Sequence, residues 1–86
     1  MEKRSEVIHE LLTILDKVKD HDCQIDDFDK NLFGSYYDYT SGEMLDFCME
    51  LKKEYHISLN NFIYKMKDYT VNNIADALIE VMITNE

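Results

Sequence analysis

Ser41-Gly42-Glu43-Met44-Leu45-Asp46-Phe47-Cys48-Met49-Glu50-Leu51-Lys52-Lys53-Glu54-Tyr55 is the stretch on which the fold turns. Met44, Cys48, Leu51 and Tyr55 stand at i, i+4, i+7 and i+11, the repeat of one apolar helix stripe. Leu45 is expected beside them on the buried face. Thr40 or Ser41 can cap the first amide groups of such a helix. Glu43, Asp46 and Glu50 then fall along another face, interleaved with Met44 and Phe47, which are expected to be exposed there. The spacing predicts a helix over residues 41–55.

Working outward, Ile8, Leu11, Leu12, Leu15 and Val18 repeat at helical spacing and predict a first helix over roughly residues 3–19. Glu2, Glu6 and Glu10 load its early turns, and Lys17 and Lys19 sit near its end, both placements favoured by the helix dipole. From Asp20 to Thr40 the periodicity is lost, so a long loop is expected between the first two helices. Ile25, Phe28, Leu32 and Phe33 are its expected anchors to the core. Downstream, Ser58 can cap a short helix near residues 59–66 carrying Phe62, Ile63 and Met66. Thr70 can cap a last helix whose stripe is Ile74, Leu78, Val81 and Met82. The expectation is an all-α fold, a small four-helix bundle occupying residues 1–86 as one domain.

Composition agrees with that pattern. Proline is absent and only 2 glycines occur in 86 residues, which suits helices better than a strand-and-turn fold. Lys and Arg number 9 against 18 Asp and Glu, a formal charge of -9. Nucleic-acid interfaces rest on basic patches, so a nucleic-acid partner is not expected. The same charge argues against an anionic membrane surface and favours a basic protein partner through long-range steering. No apolar run approaches the ~20 residues of a membrane span, and the charged start lacks a signal-peptide core. Cys23 and Cys48, 25 positions apart, form no CxxC pair and read as free thiols of a cytoplasmic protein.

Three chemical readings are set aside. The acidic run from Asp20 to Asp27 has Ile25 and Asn31 where a calcium loop needs its sixth-position glycine and twelfth-position glutamate. His21 and Cys23 lack the further ligands a zinc site needs, since His9, Cys48 and His56 are scattered over predicted helices. Ser41 and His56 lie in no G-x-S-x-G elbow, so no hydrolase triad and no independent catalysis are expected. What remains is Ser41, a serine where a long loop meets a helix start.

These residues resemble the acyl carrier protein family. Phe33 precedes Ser41 by 8 positions, as a loop phenylalanine precedes that family's modified serine. Met44 to Tyr55 is similar to the family's second helix, with its leucine–charged–charged–glutamate–aromatic ending. Tyr69-Thr70-Val71 and the Ile74/Leu78 stripe resemble the opening of its last helix. The resemblance spans nearly the whole chain. It implies a four-helix bundle of acyl-carrier-protein type in which Ser41 receives 4′-phosphopantetheine from coenzyme A through a transferase. The arm would then carry an acyl, aminoacyl or peptidyl thioester in a specialised biosynthetic pathway. Glu43, Met44, Asp46, Phe47 and Glu50 would be the face read by the transferase and by loading enzymes with basic docking surfaces. A monomer is the family's default. The family's Asp-Ser-Leu reads Thr40-Ser41-Gly42 here, which loses a charge and an apolar contact and places glycine in the first helical turn. That departure keeps two alternatives open: an unmodified carrier-like module or adaptor for a partner enzyme, and an unrelated acidic helical regulator.

Overall fold

The computed structural model describes residues 3–19 and 25–84. Among them are four helices and no strand: α1 (Lys3–Val18), α2 (Ser41–Tyr55), α3 (Leu59–Lys65) and α4 (Val71–Thr84). Each starts or ends close to where the sequence places it. Ser58 caps α3 through its side chain, accepting from the Asn61 amide at 3.4 Å. Thr70 does the same for α4, its Oγ1 accepting from the Asn73 amide at 3.1 Å. Such bonds satisfy donors that a helix start leaves orphaned. Glu2 and residues 20–24, with His21 and Cys23, lie outside the described residues.

One hydrophobic cluster takes side chains from all four helices. Val7, Leu11, Ile14 and Leu15 come from α1, Phe62 from α3, and Val71, Ile74, Ala75, Ala77, Leu78 and Val81 from α4. Helix α1 packs on both α2 and α4, and α3 packs on α4. The Cα radius of gyration is 12.1 Å, close to the ~12 Å expected of a compact chain this long.

Helix α2 is rotated from its expected phase. Met44, Phe47, Cys48 and Leu51 are its buried residues, whereas Leu45 is 63% and Met49 48% exposed. At about 100° per residue, Phe47 lies roughly 60° to one side of Met44 and Leu45 about 100° to the other. Phe47 therefore joins Met44, Leu51 and Cys48 in one stripe, and Leu45 falls on the flank. Phe47 is 0% exposed and Met44 4%, so neither is the exposed apolar residue that the sequence suggested.

Residues 25–40 contain turns and no helix. Leu32 is fully buried, Ile25 and Phe28 pack against the core at partial exposure, and Phe33 is mostly at the surface edge-on to Tyr69, ring centroids 4.7 Å apart. Backbone bonds stitch this segment to α4 and to the residues just before it. The Leu32 amide donates to the Tyr69 carbonyl at 2.9 Å, and the Asn72 amide to the Phe28 carbonyl at 3.0 Å. Two tyrosines not expected among the anchors, Tyr37 and Tyr39, are also buried. Tyr37 holds the Asp26 and Asp27 amides on its hydroxyl at 3.0 and 2.9 Å, and the Tyr39 hydroxyl donates to the Leu15 carbonyl at 3.0 Å. The second bond satisfies a carbonyl in the last turn of α1.

Truncating Phe47 to Ala is expected to cost about 3–5 kcal/mol by urea unfolding, the usual price of a core aromatic. Leu45→Ala should stay within about 0.5 kcal/mol of the parent protein. Equal costs for the two would contradict this phase of α2.

Candidate functional site at the start of α2

The start of α2 is fixed by a reciprocal pair. Thr40 is the N-cap residue, in extended conformation at φ -94° and ψ 166°. Its Oγ1 accepts from the Glu43 amide at 3.2 Å, and its own amide donates to Glu43 Oε1 at 2.9 Å. This is a capping box, and the spacing Thr40-Ser41-Gly42-Glu43 is its signature in sequence. The Thr40 carbonyl also accepts from the Met44 amide at 3.0 Å.

Because Thr40 caps the helix, Ser41 is the first helical residue and spends its hydroxyl on none of these bonds. Its side chain is exposed and makes no hydrogen bond among the described residues. The position supplies a hydroxyl at the positive end of a helix dipole, which favours a negatively charged group nearby. Gly42, next in the turn, adds no side chain over it.

Ser41 opens onto an apolar cleft of about 240 Å³, lined with Phe33, Met44, Leu45, Cys48, Ile63 and Tyr69. Helix α2 supplies one wall, α3 and the segment before α4 the others. The cleft is open to solvent and smaller than the roughly 300–1,000 Å³ of pockets that enclose a drug-sized ligand. Cys48, one of its lining residues, is buried, and that burial pushes its thiol above the ordinary cysteine value.

The expected docking face divides between two flanks of α2. Glu43 and Glu50 turn toward the end of α1, where Lys19 meets Glu43 and Lys17 meets Glu50, each at 3.2 Å. Lys53 lies 3.8 Å from Glu50 on the same helix. The exposed apolar residues of α2 are Leu45, which lines the cleft, and Met49, one turn farther along the same flank. Of the five residues Glu43, Met44, Asp46, Phe47 and Glu50, Asp46 alone is fully at the surface with no ion pair among the described residues. Glu43 and Glu50 thus lie well around the helix axis from Leu45 and Met49, with Asp46 between them.

Among the described residues no group of His, Cys, Asp and Glu could hold a metal ion. No helix there is long and apolar enough to cross a membrane. No protein-family model, curated protein or solved structure matches this chain.

The cap makes two sets of predictions. Thr40→Ala should cost about 1 kcal/mol of stability. A Cβ at Gly42 would meet only Thr40 Oγ1, at 3.9 Å, so Gly42→Ala should stabilise by about 0.5–1 kcal/mol. Both are read from urea midpoints, and a destabilising Gly42→Ala would contradict the described start. The bond from the Thr40 amide, then Lys19, holds the Glu43 carboxyl below its ordinary value, and Lys17 does the same for Glu50. Lowered folded values mean stability that is present above the ordinary carboxylate value and is lost as pH falls through the lowered ones. Glu43→Gln should flatten that acid-side loss, measured as urea midpoint against pH.

Proposed function

We propose that this chain is a carrier protein of acyl-carrier-protein type, with Ser41 as the attachment point of a 4′-phosphopantetheine arm. The observation that carries the reading is the unspent, exposed hydroxyl of Ser41 at the start of α2, beside an apolar cleft. The family resemblance of the sequence supplies the chemistry, and the all-helical architecture with its turn-built segment before α2 is compatible with it.

Attachment needs little of this protein. The Ser41 oxygen would form a bond to the phosphorus on the pantetheine side of the coenzyme A diphosphate. The bond from that phosphorus to the adenosine bisphosphate leaving group would break, and the hydroxyl proton would pass to a base of the transferase. A phosphodiester at Ser41 would carry its negative charge at the positive end of α2, where the amides of Ser41 and Gly42 remain as first-turn donors. Exposure of the hydroxyl and the missing side chain at Gly42 both suit such a group. When attached, the arm supplies a thiol that carries cargo as a thioester, and the chain supplies position and recognition.

Partner enzymes would approach the flank that is free. Leu45 and Met49 offer apolar area beside Ser41, and Asp46 offers a charge not engaged by α1. The net charge of -9 would steer basic partners toward the chain. A cytoplasmic setting and a monomeric state complete the proposal.

Thr40 in place of the family's aspartate has a structural account, since it forms half of the capping box. The alternative of an unmodified adaptor draws on the same exposed flank, with a lasting enzyme complex as its signature. Co-expression with a broad-specificity phosphopantetheinyl transferase, read by intact mass, separates the two. The parent chain is expected to gain one phosphopantetheine and Ser41→Ala none. Identical masses for both, with no gain under any transferase tried, would contradict carriage.

A further inference from the structure

Lys19 stands one residue beyond the end of α1, and its side chain is only 6% exposed. A cation so far withdrawn from water is costly unless its donors are met. They are met here by one short segment. Nζ donates to the Asp38 carbonyl at 2.6 Å and to Glu43 Oε1 at 3.2 Å. It also lies 4.7 Å from the centroid of the Tyr39 ring. All three groups belong to residues 38–43, the segment that contains Ser41.

The same Glu43 oxygen accepts from the Thr40 amide. One carboxylate atom therefore joins the end of α1 to the cap of α2. Two features make that tie consequential. Asp38 has φ 59°, a left-handed conformation that non-glycine residues seldom adopt, and Lys19 holds its carbonyl. Gly42 lies in the first turn of α2, where its low helix propensity favours fraying. The Tyr39 hydroxyl bond to Leu15 is a second tie from α1 to the same segment.

We propose that Lys19 is the positioning residue for Ser41, clamping residues 38–43 to the end of α1 so that the Ser41 hydroxyl is presented in one setting. No hydrogen bond joins Lys19 to Ser41 itself, so the action runs through Glu43 and Thr40. Its consequence for modification rests on the carrier function proposed above. The clamp on the junction does not.

The test is Lys19→Met in the full chain, with two readouts. Amide hydrogen exchange followed by NMR compares Glu43 and Met44, whose amides bond Thr40, with the core amides of Leu11, Leu15 and Leu78. Steady-state conversion to the phosphopantetheinylated form separates kcat from KM. In Lys19→Met, exchange at Glu43 and Met44 should quicken roughly tenfold or more, the scale of a lost charge-assisted hydrogen bond, while the core amides quicken by no more than the fall in global stability read from the urea midpoint. The kcat of modification should fall by a similar factor at nearly constant KM, because a Lys19 side chain only 6% exposed offers little to a docking enzyme. Lys19→Arg should recover most of both. Should Lys19→Met not fold, Glu43→Gln removes the same ion pair and carries the same comparison. Unchanged exchange at Glu43 and Met44, or quickening there smaller than at the core amides, overturns the clamp. A parent chain that is never modified would instead contradict carriage, and the exchange readout would still decide the role of Lys19.

Discussion

Thr40 and Glu43 exchange bonds across the first turn of α2, and the position of Ser41 follows from that exchange. A helix start leaves amides that must find acceptors. With Thr40 as the acceptor, Ser41 becomes a helical residue whose hydroxyl is left over. Had Ser41 been the cap, its oxygen would have been engaged by the backbone. Exposure by itself is less informative, since Ser5 and Ser35 are exposed too. Ser41 differs from them in standing at a capped helix start beside an apolar wall.

The rest of the fold holds that start in place from three sides. Phe47 and Leu51 sink α2 into the core. Leu32, stitched to Tyr69 and Tyr39 by backbone bonds, fixes the chain leading up to Thr40. Helix α1 contributes its terminal lysines and the Leu15 carbonyl. The acidic flank of α2 is thereby used largely within the molecule, and the opposite flank, with Leu45, Met49 and the cleft, is left to the outside. Charge on the surface and charge available to a partner are different quantities here.

Much of this was legible in the sequence, and the failures have physical causes. Helix existence and limits followed from periodicity and cap residues, since Ser58 and Thr70 do cap α3 and α4. The phase of α2 did not. Its apolar residues, Met44, Leu45, Phe47, Cys48, Met49 and Leu51, cover more than one face, and periodicity alone cannot choose among overlapping stripes. Burial chose the one centred on Met44 and Leu51. Thr40 and Glu43 carried a readable capping-box signature, whereas Lys19 looked like an ordinary dipole-compensating lysine. Its partners lie 19 and 24 residues away across the loop, a distance at which only the folded chain brings them together. Tyr37 and Tyr39 escaped notice for the same reason, their acceptors and donors being set by tertiary packing.

Peptide mapping of the transferase-treated protein by tandem mass spectrometry identifies which serine oxygen takes the arm. The arm is expected on the peptide that contains Ser41, with Ser5, Ser35 and Ser58 unmodified. An arm on any of those three serines, or an unmodified Ser41 in a folded chain, would contradict attachment at Ser41.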